Sequence, residues 1–138
     1  MAGYSGTPLA KKLGIKTSAN VMLINAPDYY MQLFTDMPAG VYFVDDAGVK
    51  KDLVHFFTKS KDELLTNLPL LMNQIKPDGI IWVSWPKKAS KVVTDITEDV
   101  IRNFALKIGL VDVKVCAVDE VWSGLKLVIP VKGRKSMS

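Results

Sequence analysis

The chain predicts a three-layer α/β sandwich around a mostly parallel sheet of six strands, finished by a carboxyl-terminal antiparallel hairpin. Three observations carry this. Short apolar runs bounded by turn residues recur along the chain: Val21–Ile24, Val41–Val44, Leu53–Phe57 and Ile80–Ser84. Segments with helical spacing alternate with them, as parallel strands require. The last two strand-like runs, Val111–Val118 and Leu125–Val131, have no helix between them and so pair antiparallel.

The 138 residues make one domain with a sizeable core, and an apolar share of 49% excludes a disordered chain. No apolar run is long enough for a membrane span, and Met1–Pro8 lacks the apolar stretch of a signal peptide. The single Cys116 has no internal disulfide partner, which fits a reducing, cytoplasmic setting. The net charge of +4 comes from lysine, with only Arg102 and Arg134 as arginines. Bidentate recognition of bases or phosphates prefers arginine, so this excess reads first as a solvated surface.

Residues 1–12 form the expected flexible leader, residues 13–131 one α/β domain and residues 132–138 a basic tail. Asn20 and Asn25 bound the first strand, Val21–Ile24. Pro27 suits the first turn of a following helix, and Tyr30, Leu33 and Phe34 give that helix an apolar face until Met37–Gly40 ends it. Val41–Val44 and Leu53–Phe57 are β-branched and aromatic without clean alternation, which predicts burial on both faces. Ser60 and Glu63 form a capping box that opens the next helix. Leu64, Leu65, Leu68, Leu71, Met72 and Ile75 line its face. Pro69 is expected to kink or split it, and Lys76–Pro77–Asp78–Gly79 to end it.

Ile80–Ser84 is then a central strand, followed by a basic loop with Lys87, Lys88 and Lys91. Asp95 with Glu98, or Thr97 alone, caps a helix that stops at Gly109. Val111–Val118 alternates as a half-exposed edge strand does, with Val111, Val113, Val115 and Ala117 on one face. Val121–Gly124 reverses the chain into the last strand.

With these elements placed, the second half resembles the carboxyl-terminal half of a class I S-adenosylmethionine-dependent methyltransferase. The resemblance rests on a helix leading to the strand Lys76–Pro86, a helix from Asp95 to Gly109 and the hairpin Val111–Val131. It implies a reduced Rossmann-like sheet of order 2-1-3-4-6-5 and S-adenosylmethionine as the possible cofactor. The whole chain is also similar to a family of small bacterial proteins without an assigned function. That likeness rests on Leu13–Gly14–Ile15, Ile24–Asn25–Ala26–Pro27, Lys76–Gly79, Trp82–Lys87, Thr94–Thr97 and Trp122–Leu127, and implies a bacterial cytoplasmic protein. In methyltransferases a glycine-rich turn follows the first strand; here Asn25–Ala26–Pro27–Asp28–Tyr29–Tyr30 holds no glycine.

Ligands of open α/β sheets sit beyond the carboxyl ends of the strands, where strand order reverses. The candidate binding residues there are Asn25, Asp28, Tyr29, Asp45, Asp46, Trp85 and Lys87. Asp45 or Asp46 resembles the acid that holds the cofactor ribose, and Trp85 offers a face for stacking. No catalytic constellation and no metal set is visible. His55, the one histidine, lies inside an apolar strand and is expected to be a packed, hydrogen-bonded residue. Cys116 has no basic neighbour in sequence and is expected to be inert. The expected function is a non-catalytic binding or interaction module on a degenerate methyltransferase-like domain, with a small molecule or a protein as partner. A methyltransferase with a glycine-free cofactor loop is the alternative, and weak polyanion or nucleic-acid binding through the lysine-rich rim is a third. A homodimer through an unpaired sheet edge is a further expectation, and no membrane contact is expected.

Overall fold

A computed structural model describes residues 7–131. Its elements are α1 (Leu9–Leu13), β1 (Asn20–Ile24), β2 (Tyr42–Phe43), β3 (Lys51–Phe57), α2 (Lys61–Met72), β4 (Ile75–Pro86), α3 (Glu98–Ile108), β5 (Val111–Ala117) and β6 (Trp122–Val128), with 3-10 turns at Tyr30–Leu33 and Lys88–Ser90. One six-stranded sheet has the order β2-β1-β3-β4-β6-β5. β2, β1, β3 and β4 run parallel; β6 pairs antiparallel with both β4 and β5. This is the predicted architecture and strand order.

β3 and β4 form the centre because they alone can be dry on both faces. Val54, Phe56, Ile81 and Val83 pack toward α2 and α3 with Leu64, Leu68, Ile101 and Leu125. Leu53 and Trp82 face the other way and pack with Ala10, Leu13, Ile15 and Val21. The Trp82 indole N–H, buried in this second layer, donates to the Leu13 carbonyl at 2.7 Å. That bond anchors α1, so residues 9–12 of the expected leader are helical, with Ala10 buried. The rest of the leader before residue 7 and the tail 132–138 lie outside the described residues.

Ser60 caps α2 by accepting from the Glu63 N–H, and Thr97 caps α3 by accepting from the Val100 N–H. Asp95 serves the other helix, accepting from the Lys61 N–H at 2.7 Å. Glu98 and Asp99 pair with Arg102, which also reaches Asp112 and so ties α3 to β5. These three carboxylates are occupied by the scaffold.

Six expectations change. The helix after β1 is reduced to one 3-10 turn, because the chain becomes extended at Phe34 while Tyr30 is held beneath the sheet. β2 is two residues long and exposed, with Tyr42 at 63%: it is an edge strand without a covering helix on either face. Pro69 lies within α2, which continues through it as one helix. α2 ends at Met72, and Ile75 already pairs with Lys51 as the first residue of β4. Lys76–Gly79 is therefore a bulge inside β4, with Lys76 paired to Asp52 at 2.9 Å, and Gly79 is no helix cap. In β5 a bulge between Asp112 and Lys114 breaks the predicted alternation: Asp112 joins α3 while Lys114 lies on the opposite face. The hairpin also reverses earlier than predicted, since β6 already starts at Trp122.

Gly79 is required by space rather than by φ. A Cβ there would lie 2.8 Å from the Ile75 Cβ, 3.0 Å from the Lys76 carbonyl and 3.1 Å from that of Lys51. Backbone on two sides cannot yield cheaply, so Gly79→Ala is expected to cost about 1–3 kcal/mol in urea denaturation, as overpacked cores do. A change below about 0.5 kcal/mol would show that the bulge relaxes freely.

Candidate functional site

β1 lies where the strand order reverses, so the crevice to inspect runs between the carboxyl ends of β1 and β3. β1 hands over to Asn25, whose φ of 57° is left-handed. Asparagine tolerates this conformation, and it supplies here the turn that a glycine would otherwise make. Unlike glycine it carries an amide. That amide donates to the Phe57 carbonyl at 3.2 Å and to Glu63 Oε2 at 3.1 Å. The second Glu63 oxygen accepts from the Thr58 hydroxyl. The capping box is thus half made: Ser60 N–H turns to Thr58 Oγ1, and Glu63 serves the crevice instead. Side chains just after β1 (Asn25) and β3 (Thr58) meet Glu63 of α2 across the mouth of the crevice.

The next residues are pinned as well. The Tyr29 hydroxyl donates to Asp119 Oδ2 at 2.7 Å. Asp119 is buried in the β5–β6 turn, where its other oxygen accepts from the N–H groups of Val121 and Trp122. Tyr30 passes under the sheet, where its hydroxyl meets His55 Nδ1 at 3.0 Å. His55 Nε2 meets Ser84 Oγ at 2.7 Å. Both hydroxyls can donate or accept, so either tautomer of a neutral imidazole is satisfied. Phe57 stacks on His55 at 4.2 Å between centroids, and Trp122 closes the row edge-on to Phe57 at 5.1 Å. Burial pushes the His55 pKa down to about 3 and that of the Tyr30 phenol up. His55 is the packed, hydrogen-bonded residue that the sequence predicts.

The other candidates lie apart from this network. Asp28 is exposed on the loop after β1. Asp45 and Asp46 are exposed after β2, and Asp46 closes its own turn by accepting from the Gly48 N–H at 2.8 Å. Trp85 is buried against Ile96 in the α2–α3 core, and Lys87 is fastened through its backbone N–H to the Val121 carbonyl at 2.7 Å. Beside Trp85 a groove of about 530 Å³ opens, lined by Pro86, Lys88, Lys91, Thr94, Thr97 and Glu98. The structure thus brings Asn25 and Tyr29 into bonded networks, sets Trp85 at the groove and leaves Asp28, Asp45 and Asp46 in solvent. Burial raises the Cys116 thiol pKa, against the lowering by nearby Lys12 and Lys114. Among the described residues no group of histidine, cysteine and acidic side chains could hold a metal. None of their helices is long and apolar enough to cross a membrane.

Sequence reading placed Tyr30 in the turn after β1 but missed Glu63, Asp119 and Ser84 as parts of this region. One signal was available for Ser84. His55 and Ser84 are the lone polar residues of the apolar runs Leu53–Phe57 and Ile80–Ser84, and buried polar groups find each other.

Three solved structures resemble the chain closely in fold and little in sequence. A ribosomal protein L11 methylase from Lactobacillus delbrueckii subsp. bulgaricus aligns with a TM-score of 0.57 at 10% identity, over 88% of this chain and 74% of that one. A Burkholderia thailandensis 1,6-didemethyltoxoflavin-N1-methyltransferase, with 1,6-didemethyltoxoflavin and S-adenosylhomocysteine bound, aligns at 0.55 and 14%, over 86% and 73%. A Methanococcus jannaschii fibrillarin pre-rRNA processing protein aligns at 0.53 and 10%, over 89% and 69%. No protein-family model and no curated protein matches the chain. At these identities the likeness establishes a methyltransferase-like Rossmann fold.

The depressed His55 pKa has a definite sign. Between about pH 3 and 6.5 the unfolded chain binds the histidine proton and the folded one does not, so acid favours unfolding. Stability is fully present above about pH 6.5 and falls on acidification by up to about 1.4 kcal/mol per pH unit from this group. His55→Gln should flatten the slope of unfolding free energy between pH 6.5 and 4 relative to the parent. Equal slopes would mean that His55 titrates normally in the fold.

Proposed function

We propose that this chain is a small non-catalytic binding module on a methyltransferase-like fold, working in the cytoplasm. Its partner or ligand engages the carboxyl edge of the sheet, beside Trp85 and the loop that carries Lys87, Lys88 and Lys91. The observation that carries this reading is the bridged crevice. A cofactor bound in the manner of the fold needs close backbone approach after β1. Here Asn25 fills that approach with a side chain bonded to Phe57 and Glu63. Tyr29 and Tyr30 then hold the loop to Asp119 and His55. The residues present do not fit S-adenosylmethionine at that position, and no acid–base pair faces the crevice.

A second reading has a specific observation in its favour. Two of the similar structures are a methylase and a methyltransferase, the latter with S-adenosylhomocysteine bound, and this weighs toward an S-adenosylmethionine-dependent enzyme over a module without cofactor. On that reading Asp45 or Asp46 would hold the ribose, with Asn25, Asp28 and Tyr29 around the rest.

Calorimetric titration of S-adenosylmethionine and S-adenosylhomocysteine into the purified chain separates the two. The first reading predicts no saturable heat up to millimolar ligand, for the parent and for a variant with Asp45→Ala and Asp46→Ala alike. Saturable binding to the parent that the paired variant loses would establish the cofactor site and overturn the first reading.

A further inference from the structure

The loop lysines are not the only basic surface. On the face opposite α2 and α3, Lys114 of β5 and Lys126 of β6 are direct register partners. Lys126 is in turn the partner of Trp82, whose indole holds the Leu13 carbonyl. This brings the end of α1 onto the same face, with Lys12 and Lys16 on either side of Leu13–Gly14. Their proximity shows in the electrostatics. The Lys126 pKa is lowered by desolvation and then by Lys114 and Lys16. Lys12 and Lys114 both act on Cys116, two residues along β5.

Four lysines therefore share one surface, and none of them is in an ion pair among the described residues. Asp52 and Asp78 line a neighbouring groove with Lys16, but Asp52 is taken by Lys76 and by the Asn20 N–H. Like charges directly opposite across strands destabilise a sheet. The fold gains nothing from this pair, whereas a polyanion would. Beside Lys114 the exposed Val113 sits in the β5 bulge, and Val115, register partner of Leu125, lies on the α2–α3 side, so the patch has no large apolar anchor beyond a valine. That disfavours membrane insertion and an apolar-anchored peptide. With no arginine present and Trp82 fully buried, neither base edges nor base faces would be read.

We propose that Lys12, Lys16, Lys114 and Lys126 form a phosphate-backbone contact surface for a nucleic-acid duplex, without sequence preference. This surface is separate from the Lys87–Lys91 loop, and its use does not depend on the reading given above.

The test is fluorescence anisotropy of a labelled 20-base-pair DNA duplex with the full chain at 50 and 200 mM salt. Four phosphate contacts give a slope of log K on log salt of about −3.6, a loss of roughly a hundredfold between those salts. Lys114→Glu with Lys126→Glu should weaken binding at least tenfold. Replacing Lys87, Lys88 and Lys91 by alanine should change it less than twofold. The single Lys114→Glu variant should weaken binding yet raise the melting temperature, which separates lost binding from lost folding. No saturable binding at 50 mM salt would overturn the proposal, as would full binding by the doubly reversed variant. Capture by phosphatidylserine vesicles without duplex binding would overturn it as well.

Discussion

The buried chain Tyr30–His55–Ser84 is the constraint on which the rest of this structure turns. It runs from the 3-10 turn through β3 to β4, on the face opposite α2 and α3. A segment with only one 3-10 turn has little secondary structure of its own to hold it there. Instead it is held by a phenol bonded to a ring that cannot take up a proton cheaply, with Phe34 and Phe57 packed on the same tyrosine. Because Tyr30 is fixed, Tyr29 is aimed at Asp119 and Asn25 at Glu63. The position of the loop at the sheet edge follows from a contact buried beneath it.

On the proposed reading, this arrangement is how the domain keeps the methyltransferase-like sheet while closing the crevice after β1. The strand order, the α2 and α3 layer and the terminal hairpin are all present. At the switch point an amide, a carboxylate and a hydroxyl satisfy one another between the segments after β1 and β3 and the start of α2. On the proposed reading, fold and activity separate at that point, as they do across many widespread folds. A groove beside Trp85 opens elsewhere on the molecule.

Most of the fold was legible because its determinants are local. Apolar runs, Ser60 and Thr97 at helix starts and Gly109 at a helix end each act within a few residues. The errors share a cause: a long-range contact overrode the local pattern. Tyr30, Leu33 and Phe34 have helical spacing, yet the reach of Tyr30 to His55 leaves room for one turn only. Ile75 continues the apolar face of α2 in sequence but is worth more as a fully buried strand residue opposite Lys51. Of the site, Asn25 and Tyr29 were legible by position after β1. Glu63 looked wholly spent on its cap, and nothing around Asp119 in the sequence singled it out. Their partners are 38 and 90 residues away, a distance that no sequence pattern encodes.

The most direct measurement is nuclear magnetic resonance of the ¹⁵N-labelled imidazole, unambiguous because the chain has a single histidine. The account predicts a neutral ring from pH 8 down to the onset of acid unfolding, with both nitrogens shifted by hydrogen bonding. A ring that titrates near pH 6.5 in the folded chain would contradict it, because His55 would then be open to water and the loop after β1 would lack its anchor.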